Sequence, residues 1–208
     1  MEQRRDDARE TLDVVNGEPL ERSFYARPAR EVAESLIGKV VLSTLGDGRT
    51  AGRIVETEAY TGPEDPASHA AERTGRTPRN SAMFGPPGTA YVYLSYGIHW
   101  CLNAVTDRED HPGAVLIRAL EPVDGLPIMR LRRGMPDRDL ARGPGRLCQA
   151  LAITGAVNGH ALDRPPLLFL AATPVPPEAI ASGPRIGISR AADWPLRFTL
   201  RGSRYLSR

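Results

Sequence analysis

The sequence predicts an α+β fold: a single mixed domain with a curved antiparallel sheet and a protruding β-hairpin. Three observations lead there. Three strand-like runs, Thr89–Ser95, Trp100–Thr106 and Ala114–Leu120, follow one another, and Tyr96-Gly97-Ile98-His99 joins the first two with the length and composition of a hairpin. Glycine (20) and proline (19) are plentiful among 208 residues, which favours tight turns over long helices. The chain also shows neither an internal repeat nor a linker that would split it, and its length suffices for a sizeable core.

Residues 1–20 are polar, mixed in charge and aperiodic, and are expected to form a disordered or loosely docked tail, with the domain proper over 21–208. Arg27-Pro28 reads as a helix start. Behind it Val32, Ala33, Leu36 and Ile37 keep helical spacing over Ala29–Ile37, and Gly38 ends the run. Val40–Thr44 is a short strand. Ala51–Tyr60 alternates, which puts Ile54, Glu56, Glu58 and Tyr60 on one face. Residues 61–88 are rich in Pro, Gly and polar side chains, a loop longer than the ~15 residues beyond which loops in compact domains are usually functional or disordered. After the three strands of the hairpin region, Leu126–Arg133 and Arg146–Ile153 read as short helices. Leu167–Ala171, Arg185–Ser189 and Leu196–Arg201 read as closing strands.

The hydrophobic fraction of 41% and charged fraction of 25% exclude whole-chain disorder. No apolar run is long enough to span a bilayer, and the opening MEQRRDDARE is not a signal peptide, so a soluble protein without membrane contact is expected. Two cysteines, Cys101 and Cys148, do not make a disulfide scaffold. The net charge of +2 conceals an uneven distribution: residues 1–20 and 21–125 each carry −3, and residues 126–208 carry +8. A basic third suits contact with a polyanion, and equally suits a solvated basic face. Lys39 is the only lysine.

Several residues could carry chemistry. Glu56 and Glu58 lie roughly 7 Å apart on one strand face, from the ~3.3 Å rise per residue, which fits either a solvent-facing acidic strand or an acid–base pair. Tyr60 shares that face. His69 sits in the long loop; neither it nor His99, His111 and His160 has metal-ligand spacing with one another or with the cysteines, so a catalytic metal has no positive support. Tyr91 and Tyr93 share one face of their strand, and Tyr96, beside Gly97 at the hairpin tip, could either cover a core edge or wedge between bases. Asn103 and Arg118 are embedded in apolar runs and need partners; for Arg118 the candidates are Glu56, Glu58 and Glu121. Arg142-Gly143-Pro144-Gly145-Arg146 ahead of a helix reads as an anion site or as an ordinary glycine-rich helix start.

Five colinear segments together resemble the alkyladenine (3-methyladenine) DNA glycosylase family: FYARPAREVAESLIGK (24–39), RIVETEAYTGPEDPASH (53–69), RTPRNSAMFGPPGTAYVYLSYGIHWCLN (76–103), VLIRALEP (115–122) and GPGRLCQALAI (143–153). The resemblance runs in order from about residue 20 to 204. It implies a protruding hairpin that inserts into DNA and a monomeric enzyme, needing no metal and no cofactor, that flips alkylated or deaminated purines out of double-stranded DNA and hydrolyses the N-glycosidic bond, the opening step of base excision repair, in the cytoplasm of a bacterium or the nucleus of a eukaryote. By position, Glu58 matches the general base for the attacking water, and Arg118 the arginine that holds that water and orients the carboxylate. Tyr60, His69 and Tyr93 match the side chains that grip the flipped base, and Asn103 the amide that crowds the 2-amino group of guanine. Tyr96 matches the tyrosine that fills the gap in the duplex. The bottom-up reading adds Gly145 and Arg146 as phosphate contacts. A non-catalytic binder of damaged DNA would need the pocket without the Glu58–Arg118 pair, and a metal-dependent nuclease would need ligand clusters that the sequence lacks.

Overall fold

A computed structural model of the chain describes residues 15–69 and 75–207. The fold is α+β: a curled antiparallel sheet with few and short helices. Residues 1–14 of the expected tail lie outside the described residues. Residues 15–20 pack and hydrogen-bond onto the sheet: Val15 and Leu20 are buried, and the Leu20 amide donates to the Phe169 carbonyl at 2.8 Å.

Helix α1 (Arg22–Tyr25) leads to α2 (Ala29–Ser35), which starts behind Pro28 at φ −51°. Its apolar spacing buries Val32 and Ala33 completely. The turn that ends it needs Gly38, at φ +88°, where an added Cβ would lie 2.4 Å from the Val175 side chain. Strands β1 (Val40–Ser43), β2 (Thr50–Tyr60), β3 (Ala90–Ser95), β4 (His99–Thr106) and β5 (Gly113–Asp124) follow. Helices α3 (Leu126–Arg133) and α4 (Pro144–Ala150) come next, then β6 (Asp163–Arg164), β7 (Leu167–Leu170), β8 (Ile180–Gly183) and β9 (Arg197–Leu200). The sheet order is β3-β4-β5-β2-β1-β7-β6. β2 is the spine: one edge pairs with β5 along its length, and the other pairs with β1 through residues 50–53 and with β9 through 56–58. The main core lies between this sheet and the helices, and joins Val32 of α2, Ile117 of β5, Met129 of α3, Leu147 of α4 and Phe169 of β7.

Two expectations are corrected. Arg185–Ser189 is not a strand; the eighth strand lies earlier, at Ile180–Gly183. Residues 185–188 instead cross over β2, where their side chains and amides serve the cleft described below. Ile54 does not share a face with Glu56. The β2–β5 register slips on either side of Glu56: Ile54 opposes Leu120, Glu56 opposes Ala119 and Thr57 opposes Ile117. Val55 is the extra residue on β2 and Arg118 the extra residue on β5. Ile54 therefore enters the main core with Leu120, on the side where the Thr57 hydroxyl donates to the Ala33 carbonyl, while Glu56 and Glu58 look away from it.

Candidate active site

Beside the slipped register, the Arg118 guanidinium lies over two carboxylates of β2. Arg118 Nε lies 3.0 Å from Glu56 Oε1 and Nη1 lies 3.2 Å from Glu58 Oε1; Glu121 makes no ion pair with it. Both glutamates are fully buried and Arg118 nearly so. Charges removed from water at this depth persist only with dense hydrogen bonding, and both carboxylates have it. Glu56 Oε1 accepts from Arg118 Nε, Arg197 Nε (2.7 Å) and Ser207 Oγ (2.8 Å), and its Oε2 accepts from the Ser207 amide (2.5 Å). Burial pushes the Glu56 carboxyl up, but the Ser207 amide and Arg197 outweigh it and hold the carboxyl below its ordinary value.

Glu58 is held differently. Its Oε1 accepts from the Ile186 amide at 2.7 Å, and its Oε2 accepts from the Tyr60 hydroxyl at 3.0 Å. Burial, then the Glu58 charge, raises the Tyr60 phenol well above its ordinary value, so it stays protonated and donates. Tyr60, Arg118 and Ile186 all line one cleft of about 580 Å³, in the range typical of small-molecule sites. Glu56 is thus a saturated structural anion. Among the described residues, Oε2 of Glu58 has a single donor, the Tyr60 hydroxyl, which itself lines the cleft.

The walls of the cleft are aromatic. Tyr91 and Tyr93 alternate along β3 with their rings stacked, centroids 5.3 Å apart. The His69 ring meets Tyr93 edge-on at 4.5 Å, and its Nδ1 lies 3.1 Å from the Tyr91 hydroxyl. Burial, then Arg79, lowers the His69 imidazole below its ordinary value and keeps it neutral. Buried Asn80 pins this loop by donating to the His69 carbonyl (2.9 Å) and the Gly75 carbonyl (2.8 Å). Asn103, the cross-strand partner of Tyr91, lines the cleft beside it, its Nδ2 donating to the Tyr91 carbonyl at 3.0 Å. Tyr96 stands at the rim, 90% exposed, at φ +49°. Tyr60, His69, Tyr93, Tyr96, Asn103 and Arg118 therefore all line the cleft, with Glu58 buried behind Tyr60 and Arg118.

Gly145 and Arg146 lie in a neighbouring cleft of about 400 Å³, which shares Arg118 and Pro144 with the first and is also lined by Arg133 and Arg142. Arg146 is half-exposed, with Asp139 at 4.0 Å as its carboxylate neighbour. Gly145 has a packing reason as well: a Cβ there would lie 2.9 Å from His99 Cβ, so only glycine lets α4 approach the hairpin.

Sequence reasoning missed the buried Asp65–Arg185 pair. Arg185 donates from Nη1 (2.5 Å) and Nη2 (2.9 Å) to the two oxygens of Asp65, donates to the Ala59 carbonyl, and lies 4.7 Å over the Tyr60 ring. This clamp ties the His69 loop to the segment that carries Ile186. No local pattern joins residues 120 apart, although the alternating Arg185-Ile186-Gly187-Ile188 invited the strand reading. Arg79, 5.4 Å over Tyr93, and Ser207 were likewise not singled out. Among the described residues no cluster of His, Cys, Asp and Glu could hold a metal ion, and no helix is long and apolar enough to cross a membrane.

Comparison with known proteins gives the family of the chain. The chain is 54% identical over 193 residues to a protein of Rhodopseudomonas palustris (strain BisB18) assigned as a 3-methyladenine DNA glycosylase, with 92% of each chain covered. It is 53% identical over 189 residues to one of Agrobacterium fabrum with the same assignment (90% of this chain, 91% of the relative). A third, of Myxococcus xanthus, is 48% identical over 192 residues (91% and 93%). The profile of the methylpurine-DNA glycosylase family matches residues 23–204. On these matches, the chain belongs to the methylpurine-DNA glycosylase family and is a DNA glycosylase.

Proposed function

We propose that this enzyme flips an alkylated or deaminated purine out of duplex DNA into the aromatic cleft and hydrolyses its N-glycosidic bond without cutting the strand. The observation that carries the reading is the buried Glu58 carboxylate, fixed by three groups that all line a cleft large enough for a base, next to an exposed tyrosine. Glu58 Oε2 takes a proton from a water molecule, whose oxygen attacks C1′ as the bond to the base breaks and the electron pair leaves with the purine. Arg118 keeps Glu58 aimed. Tyr60, His69 and Tyr93 grip the base, Asn103 presses on its edge, and Tyr96 fills the space it vacates. The arginine cleft at Gly145 and Arg146 takes a backbone phosphate. The enzyme works as a monomer on the DNA of the cytoplasm, without a cofactor.

The test is Glu58→Gln in single-turnover excision from a duplex holding one methylated purine. Loss of a positioned base is worth ~10²–10⁴-fold in rate. Binding to the damaged duplex should persist, since the amide keeps the shape. Unchanged excision would remove Glu58 from the chemistry. A glycosylase that also cuts the strand as a lyase uses an amine to form a Schiff base. The single lysine, Lys39, lines a different cleft and donates from Nζ to the Ala172 carbonyl. Borohydride should therefore trap no covalent protein–DNA adduct.

A further inference from the structure

We propose that Ser207 is a positioning residue for this reaction, fixing the guanidinium that orients Glu58; the inference rests on the reading of Glu58 as the base. Ser207 lies more than eighty residues from Arg118 in sequence, yet Arg118 donates to Ser207 Oγ from both Nε (3.3 Å) and Nη2 (3.1 Å). The hydroxyl in turn donates to Glu56 Oε1 at 2.8 Å, and the Ser207 amide donates to Glu56 Oε2 at 2.5 Å. One hydroxyl hydrogen and two lone pairs are thus matched to one acceptor and two donors. The chain is locked in this place by its neighbours. Tyr205 packs into a small cluster with Val55 and Ala119, the residues beside the two register slips. The Leu206 carbonyl accepts from Arg142 Nε at 2.5 Å.

The guanidinium shows why this contact matters. With Nε and Nη2 engaged by Glu56 and Ser207, the planar group cannot rotate, and Nη1 remains directed at Glu58. Glu56 alone would anchor the guanidinium only at Nε, free to pivot about that bond. Ser207 supplies the second point that defines a plane. It also lines the arginine cleft, on the far side of Arg118 from the base cleft, so it touches neither the base nor the reacting atoms.

The experiment compares the full chain with Ser207→Ala and Ser207→Thr, using a duplex that holds one methylated purine. Single-turnover rate, affinity for the same duplex and melting temperature are measured for each. Ser207→Ala should slow the chemical step about tenfold, the worth of a hydrogen bond to a charged group, with affinity and melting temperature near wild type. Ser207→Thr, which keeps the hydroxyl, should restore most of the rate. Combined with Glu56→Gln, Ser207→Ala should add less than its separate cost, because both act through Arg118. An unchanged rate in Ser207→Ala overturns the inference. So does a rate loss that tracks melting temperature or affinity, or a threonine variant as slow as alanine. If the wild-type chain itself releases no methylated purine, it is the proposed function that fails.

Discussion

Glu56 and Glu58 stand two residues apart on one strand, and their surroundings give them opposite duties. Glu56 has four donors on its carboxylate, which leaves no room for a substrate proton. Its carboxyl is held below the ordinary value, so the folded state binds that proton less readily than the unfolded chain. The stability it contributes is fully present above the unfolded carboxylate value of about 4.3 and is lost as pH falls through the lower folded value. Glu56→Gln should therefore cost about 3 kcal/mol at neutral pH, the scale of breaking a buried ion pair. Denaturant unfolding of variant and wild type should converge in acid, and a gap that persists at low pH would contradict this assignment. Its effect on excision should be smaller than that of Glu58→Gln and should come through a loosened Arg118. The pair of glutamates is plain in the sequence, and so is the need of Arg118 for a carboxylate. What could not be read is how each carboxylate is held, because the deciding donors, the Ile186 amide and Ser207, arrive from more than 120 residues away.

At the scale of the element, the hairpin of β3 and β4 combines strain at its tip with close packing just beside it. Ser95 pairs with His99, and the Ile98 amide closes the turn onto the Ser95 carbonyl at 3.0 Å. Both Tyr96 (φ +49°) and Gly97 (φ +73°) are left-handed, the conformation of a tight hairpin turn. Glycine suits that geometry and tyrosine does not, at about 1–2 kcal/mol per residue. A bulky residue kept there, with 90% of its surface exposed, is placed for something other than stability. Tyr96→Gly should leave the melting temperature unchanged or raise it, while excision from a fully paired duplex falls much more than from a mismatched site where the base is already loose. Equal losses on both substrates would deny Tyr96 its role as a wedge. Beside the turn, Gly145→Ala would drive a Cβ to 2.9 Å from His99. It should destabilise by about 1–3 kcal/mol through overpacking, read as a lower denaturant midpoint. The hairpin was legible because its turn chemistry is local. The bulges in β2 and β5 were not, since a slipped register needs both strands to be seen at once. Arg185–Ser189 misled because two isoleucines at alternate positions mimic a strand; in the fold Ile186 and Ile188 both face the cleft.

Across the whole molecule, charge is sorted by function. The buried glutamates Glu56 and Glu58 sit on β2, within the stretch 21–125 of net charge −3, and the basic excess of +8 falls in residues 126–208. Folding brings part of that excess to the active site: Arg133, Arg142 and Arg146 line a cleft that meets the base cleft at Arg118. A duplex that places its extruded base at Glu58 would thus lay backbone beside these arginines. They differ in freedom, and that ranks them. Arg142 is tied to the Leu206 carbonyl, and Arg133 to the Leu140 carbonyl and the Gln149 side chain. Arg146 is half-exposed, with its nearest carboxylate only at the limit of an ion pair. It is the one of the three with least to give up on meeting a phosphate. Each phosphate neutralised releases counterions and steepens the fall of log affinity with log salt by about 0.9. Arg146→Ala should accordingly weaken binding to damaged and undamaged duplex alike and flatten that slope by about 1. The rate of base release from saturated complex should stay the same, because Arg146 touches neither Glu58 nor the aromatic walls. A change in which lesion is preferred, with the salt slope intact, would instead assign Arg146 to base recognition and leave the glycine-rich start of α4 explained by its packing against the hairpin alone.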